Sequence, residues 1–265
     1  MENKNGEMVL PTEDHNPEIG GIPKDLSLIV FGPPKCGKTT FGASFPNSIT
    51  LECESGGAKY IKCRKLDIGS LAELRQAWNL LKDNAEYETI VLDSLDRVAQ
   101  WIEEEICQEM GLKNIMDAKK GERHGAQWGE YVQRVLTLLE GWKSLGKRVI
   151  FLAHTKKAET DGNGLVISPK TINLYGQTAS RVMSIVENIG HLYATENEKG
   201  EIVRTLSFRA GTHVEAGSRH PMLTDKKIDL PKEGSYDAFA ALFATPTNGH
   251  KEAKKAEKEL AEAGR

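Results

Sequence analysis

The sequence predicts an α/β fold: a mostly parallel central sheet, helices on both of its faces and an antiparallel hairpin towards its C-terminal end. Three observations predict it. Continuous apolar runs of strand length recur, LSLIVF at 26–31, ETIVL at 88–92 and RVIFLA at 148–153, as expected of strands buried on both faces. Between them lie stretches with apolar residues three and four apart, the period of an amphipathic helix. The two signals alternate, and alternation favours parallel strands joined by crossover helices.

Residues 1–25 carry six acids (Glu2, Glu7, Glu13, Asp14, Glu18, Asp25), two lysines, three prolines and the Gly20-Gly21 pair, with few large apolar side chains. Such a segment buries little and reads as a flexible acidic lead-in. The strand at 26–31 runs into a Gly-rich turn and a short helical stretch. SITLEC at 48–53 is the next strand, and 60–66 a weaker one. Residues 71–81 set Leu71, Leu74, Trp78 and Leu81 on one helical face. The strand at 88–92 leads into a helix over 96–110, with Val98, Trp101, Ile102 and Ile106 on one side. Residues 127–145 form the clearest helix, carried by Trp128, Tyr131, Val135, Leu138, Leu139 and Trp142. After the strand at 148–153, residues 188–194 and 201–209 read as a hairpin across Glu198-Lys199-Gly200. From 245 the chain is weakly apolar, with Leu260 its only large apolar residue, and reads as a solvated helical tail. The expected division is lead-in 1–25, one domain 26–244 and tail 245–265.

The chain has 265 residues, and 35 basic against 38 acidic side chains give a net charge of −3. That excludes a generally basic coat for nucleic acid but not a local basic patch. No stretch approaches a membrane span, and the N-terminus lacks a signal-peptide pattern. Cys36, Cys53, Cys63 and Cys107 match neither a CxxC pair nor a zinc pattern, so they read as reduced thiols of a cytoplasmic protein.

The strongest motif is Gly32-Pro33-Pro34-Lys35-Cys36-Gly37-Lys38-Thr39-Thr40. It fits G-x-x-x-x-G-K-[ST] between an apolar strand and a helix, the context of a phosphate-binding loop. Glycines let successive N–H groups turn inward around a phosphate, and the helix N-terminus adds partial positive charge. Lys38 reaches the terminal phosphates, and the Thr39 hydroxyl is the expected Mg2+ ligand. Such a loop needs an acid for the metal. Asp93 ends an apolar strand and is the candidate; the alternative is that it only caps the next helix. Glu52 and Glu54 end the strand at 48–53 and would share one side if it stays extended. One of them would orient the attacking water, unless both are surface acids. His154 ends the strand at 148–153 and reads as a sensor of the γ-phosphate or as a hydrogen-bonded strand-end histidine.

With GPPKCGKTT, LECESGG, TIVLDSLD and VIFLAHTKK in this order, the chain resembles the RecA-like branch of P-loop ATPases. Within it, the chain is similar to AAA-domain phage nucleotide-binding proteins of the Sak type, which act in single-strand annealing and recombination. The resemblance implies a RecA-like P-loop core with ATP and Mg2+ as cofactors. It implies Glu54 as the water-activating acid, preceded by Glu52, Asp93-Ser94 as the Walker B end, and His154 at the sensor position, where RecA itself has Gln. Gly217-Ser218-Arg219-His220 before Pro221 matches the family's Arg-containing segment. The activity implied is Mg2+-dependent hydrolysis of ATP to ADP and phosphate on single-stranded DNA, in phage recombination, repair or replication, in the host cytoplasm. A homo-oligomer is expected, with Arg181, Arg209 or Arg219 reaching a neighbour's γ-phosphate, and phage replication or recombination proteins as partners. The basic segments 119–124 and 156–170 are the expected DNA contacts. Alternatives are a nucleotide-dependent loader with little turnover and a small-molecule P-loop kinase. No compact Arg-rich lid favours the kinase. No guanine-binding NKxD-like motif is present, which favours adenine.

Overall fold

The computed structural model describes residues 20–117, 125–160 and 166–244. The lead-in up to residue 19, residues 118–124 with the basic segment 119–124, the Gly-containing stretch 161–165 and the tail 245–265 lie outside the described residues.

Strand β1 (Ser27–Gly32) is buried along its whole length, as its unbroken apolar run requires. The phosphate loop follows, then the short helix α1 (Lys38–Ala43). β2 (Ser48–Glu52) is also buried throughout. The weak strand expected at 60–66 shrinks to β3 (Lys65–Asp67), exposed along its length at the sheet edge. Helix α2 (Leu71–Leu81) starts at Ser70, whose hydroxyl accepts the Glu73 N–H, while Glu73 accepts the Gly69 N–H. The first bond satisfies an N–H that the helix start leaves unpaired, and the second fixes the chain entering the cap. β4 (Thr89–Asp93) and α3 (Leu95–Met110) follow. Helix α4 (Ala126–Lys143) buries Tyr131, Val135, Leu139 and Trp142, the stripe its period predicts. β5 (Arg148–Lys156) runs three residues past the expected end, because its tail pairs with a strand further along.

Beyond β5 come the small ribbon β6 (Glu159–Thr160) and β7 (Val166–Ser168), then β8 (Thr171–Ile172), the partner of the β5 tail. Helix α5 (Thr178–Ile185) leads to β9 (Asn188–Glu196) and β10 (Ile202–Ser207), the expected hairpin. β11 (Gly217–Ser218), β12 (Lys227–Leu230) and α6 (Ser235–Ala244) complete the described chain. No local sequence signal marked β12 or α6.

The sheet runs β12-β10-β9-β1-β5-β4-β2-β3. The stretch from β9 to β3 is parallel, and β10, β11 and β12 add antiparallel strands on the C-terminal side. Alternate residues of β1 feed opposite cores. Ile29 and Phe31 join the apolar faces of α2, α3, α4 and α5, while Leu28 and Val30 join Phe41 and the α6 residues Phe239 and Phe243. This is the α/β fold that the alternating strand and helix signals predict. Strand β5 separates β1 from β4, with Gly32 beside His154 and Leu152 beside Asp93. The carboxyl ends of β1, β5, β4 and β2 thus form one edge, where ligands of open α/β sheets bind. Among the described residues no helix is long and apolar enough to cross a membrane.

Candidate nucleotide site

The phosphate loop is set by packing as well as by phosphate chemistry. A Cβ at Gly32 would stand 2.2 Å from the Leu192 carbonyl oxygen and 2.8 Å from Cys36 Sγ. Neighbouring strand β9 therefore excludes any side chain there. Gly37 has φ +104°, a conformation glycine adopts without steric cost. Lys38 is buried, and its Nζ donates to the carbonyls of Gly32 at 2.9 Å and Pro33 at 3.0 Å. The ammonium is thus held inside the loop by two carbonyls.

Thr39 Oγ1 donates to Asp93 Oδ2 at 2.6 Å. Asp93 is buried, and desolvation pushes its carboxyl above the ordinary value, against the Thr39 hydrogen bond and the Lys38 charge. The N-cap of α3 is Ser94, not Asp93, so the Asp93 carboxylate faces the phosphate loop. A hydroxyl and a carboxylate in direct contact are hard oxygen donors, and they fit Mg2+.

Glu52 and Glu54 do not act as a pair. β2 ends at Glu52 and the chain turns, so the side-chain alternation stops between them. Glu52 Oε1 accepts the Ala58 N–H at 2.9 Å and Oε2 meets Lys65 Nζ at 2.5 Å. It clamps the segment between β2 and β3. Glu54 accepts a hydrogen bond from the Ser94 hydroxyl and lies 3.6 Å from His154 Nδ1. His154 in turn meets a residue that sequence reasoning missed. Asp96 Oδ2 accepts the His154 backbone N–H at 2.8 Å and lies 3.2 Å from Nδ1. That bond raises the His154 pKa above the ordinary imidazole value, against desolvation. The signal was present in TIVLDSLD, where Asp96 stands in the first helical turn, but nothing local said it faces β5.

A profile described as an AAA domain matches residues 24–220. The chain belongs to this AAA domain family. The SPbeta prophage-derived uncharacterized protein YorG of Bacillus subtilis (strain 168) is 25% identical over 167 residues, which are 58% of this chain and 51% of that protein. The chain therefore spans about half the length of the curated relative it matches. The crystal structure of the RadB recombinase superposes with a TM-score of 0.41 at 14% identity, over 81% of this chain and 91% of that one.

Two clefts border the phosphate loop. One, of about 610 Å³, lies between Lys35, Thr40, the exposed Tyr60 and the segment from Leu230 to Ser235. Arg204 of β10 reaches its wall, where its Cδ would touch a Cβ on Gly37 at 3.1 Å. No sequence motif marked this arginine. The other cleft, of about 980 Å³, begins at Pro33 and Pro34 and runs past Thr155 to the β9–β10 hairpin. Lys157, Lys170, Arg209 and Lys227 line it with Tyr193, and no described acid does. His191 stands in its floor, buried, 5.3 Å from the Tyr193 ring in a stacked arrangement. Burial, helped by the Lys170 charge, lowers its pKa to about 4.

Of the arginines considered from sequence, Arg209 donates to the Asp225 carbonyl and Arg219 to the Ser184 carbonyl. Arg181 is exposed on α5. The thiols nearest the site are poor nucleophiles, since burial raises Cys36 and pushes Cys53 up to about 12.

Proposed function

We propose that this chain is a Mg2+-dependent ATPase that acts on single-stranded DNA in phage recombination, repair or replication. The observation that carries the reading is the convergence of Lys38, Thr39, Asp93, Glu54 and His154 on one edge of the sheet, with Thr39 and Asp93 in direct contact at 2.6 Å. Backbone N–H groups from Lys35 to Thr40 bind the phosphates, since Pro33 and Pro34 have none to give, and Lys38 leaves its two carbonyls to neutralise the terminal ones. Thr39 and Asp93 are the residues that would hold Mg2+, which would supply charge neutralisation at the phosphates. Glu54, oriented by the Ser94 hydroxyl, takes the proton of the attacking water as its oxygen forms the new bond to γ-phosphorus and ADP leaves. His154 lies next to Glu54 and leads into the β5 tail, so it senses the γ-phosphate and passes its presence to the basic cleft. Arg204 supports the phosphates in cis. An arginine from a neighbouring subunit, Arg181, Arg209 or Arg219, completes the charge in a homo-oligomer.

The DNA part of the reading rests on the cleft with four cations that starts at the phosphate loop. Lysine and arginine neutralise backbone phosphates without reading bases, and Tyr193 offers a face for a base. The phage part draws support from the prophage-derived relative. The test is ATP turnover with and without single-stranded DNA at two salt concentrations. Turnover is expected to rise with DNA, and DNA binding to weaken steeply with salt. ATP binding without turnover would favour a loader instead. Turnover indifferent to DNA, with no salt-dependent binding, would remove the DNA assignment and leave the ATPase.

A further inference from the structure

Three separate segments bring one donor each to a point beside the Thr39–Asp93 pair. Glu54 stands just past β2, Asp96 in the first turn of α3 and His154 near the end of β5. One ligating atom from each lies within 4.8 Å of the other two. His154 Nδ1 is 3.2 Å from Asp96 Oδ2 and 3.6 Å from Glu54 Oε1. An imidazole nitrogen beside two carboxylates is not a donor set that Mg2+ prefers. It suits first-row transition metals, which bind imidazole as readily as oxygen.

A second observation does not depend on the clustering. Asp96 is 7% exposed, and its Oδ1 is buried with no hydrogen-bond partner among the described residues. A desolvated carboxylate oxygen without a partner is costly to keep, and a cation in direct contact removes that cost. We propose that Glu54, Asp96 and His154 form a binding site for a transition-metal dication such as Mn2+, Co2+ or Zn2+, separate from the Mg2+ place at Thr39 and Asp93. The metal binds the neutral imidazole at Nδ1, whose remaining proton sits on Nε2, together with ionised carboxylates, so binding weakens as pH falls and these groups take up protons. Filling the site also ties up the Glu54 carboxylate, so it slows hydrolysis. That regulatory consequence rests on the ATPase reading above; the binding itself does not.

The test uses the full chain without nucleotide, titrated with Co2+ in excess Mg2+. One Co2+ per chain is expected, with visible absorption from mixed nitrogen and oxygen ligands and weaker binding at lower pH. Asp96→Asn keeps an acceptor for the His154 N–H but loses the anionic ligand, and it is expected to weaken Co2+ binding at least tenfold. His154→Gln is the second variant and removes the nitrogen ligand and the absorption band together. Circular dichroism establishes that each variant is folded. Should one variant not fold, the other decides. Absence of Co2+ binding in excess Mg2+, or affinity within twofold of wild type in a folded variant, would overturn the site. Neither result bears on ATP binding, so failure here is distinct from failure of the proposed activity. Inhibition of ATP turnover by Co2+ in wild type then tests the regulatory consequence.

Discussion

Gly32 and Glu54 show two different ways in which one residue governs the site. At Gly32 the constraint is space: the Leu192 carbonyl lies where a Cβ would go, at 2.2 Å. Because that obstacle is backbone, it cannot rotate away. Gly32→Ala is expected to cost about 1–3 kcal/mol, the usual range for overpacking, read as a lower urea midpoint with unchanged slope. At Glu54 the constraint is chemical. Glu54→Gln keeps the size and the contact to Ser94 but removes the base. ATP turnover is expected to fall by about 10²–10⁴-fold, the usual worth of a positioned general base, while ATP binding persists. Turnover at the wild-type rate would show that another group activates the water. Glu52, by contrast, is expected to matter for stability rather than for turnover, since its oxygens are engaged by Ala58 and Lys65.

Elements carry consequences that single residues do not. Helix α4 presents Tyr131, Val135, Leu139 and Trp142 to the core, and this stripe was readable from spacing alone. Leu139 is fully buried, so Leu139→Ala is expected to cost about 2–5 kcal/mol through reduced burial and the cavity left behind. Thermal or urea denaturation measures it. The β5 tail and the β9–β10 hairpin together build the basic cleft, and here the sequence was only half legible. It showed Lys156, Lys157 and Lys170 as a basic segment, yet Lys227 joins from β12, brought there by antiparallel pairing with β10. Lys170→Glu with Lys227→Glu is expected to weaken single-stranded DNA binding. The slope of log affinity against log salt should become shallower by about 0.7 for each DNA phosphate that these lysines no longer neutralise. An unchanged slope would place the DNA elsewhere on the molecule.

For the whole molecule, pH tests how the sheet is assembled. His191 sits between β1 and β10, against Phe31 and Tyr193, with Lys170 near it. Burial holds it neutral down to about 4, while the unfolded chain takes up a proton near the ordinary value of 6.5. The unfolded state therefore binds more protons between these values, and stability falls as pH drops through that window. Its contribution is full above about pH 6.5, and the loss reaches up to about 3 kcal/mol by pH 4. Comparison of wild type with His191→Phe in urea at a series of pH values isolates this effect. The variant is expected to show a flatter profile, and identical profiles would mean the imidazole titrates in the fold as it does in the unfolded chain.

The sequence by itself determined the phosphate loop, the buried strands on either side of it, the faces of the long helices and the hairpin. Each of these depends on residues close along the chain: a loop of nine residues, a period of two or of 3.6, a turn between two apolar runs. Only the tertiary structure decided which strands are neighbours, because periodicity says that a residue is buried and not against what. The order β1-β5-β4 sets Gly32 beside His154 and Asp93 two strands away. The turn after Glu52 separates two acids that look like a pair in sequence. Asp96 meets His154, and Arg204 reaches Gly37, only because helix α3 and the phosphate loop pack against the ordered strands. Strand register is set by the whole core, which no local stretch of sequence contains.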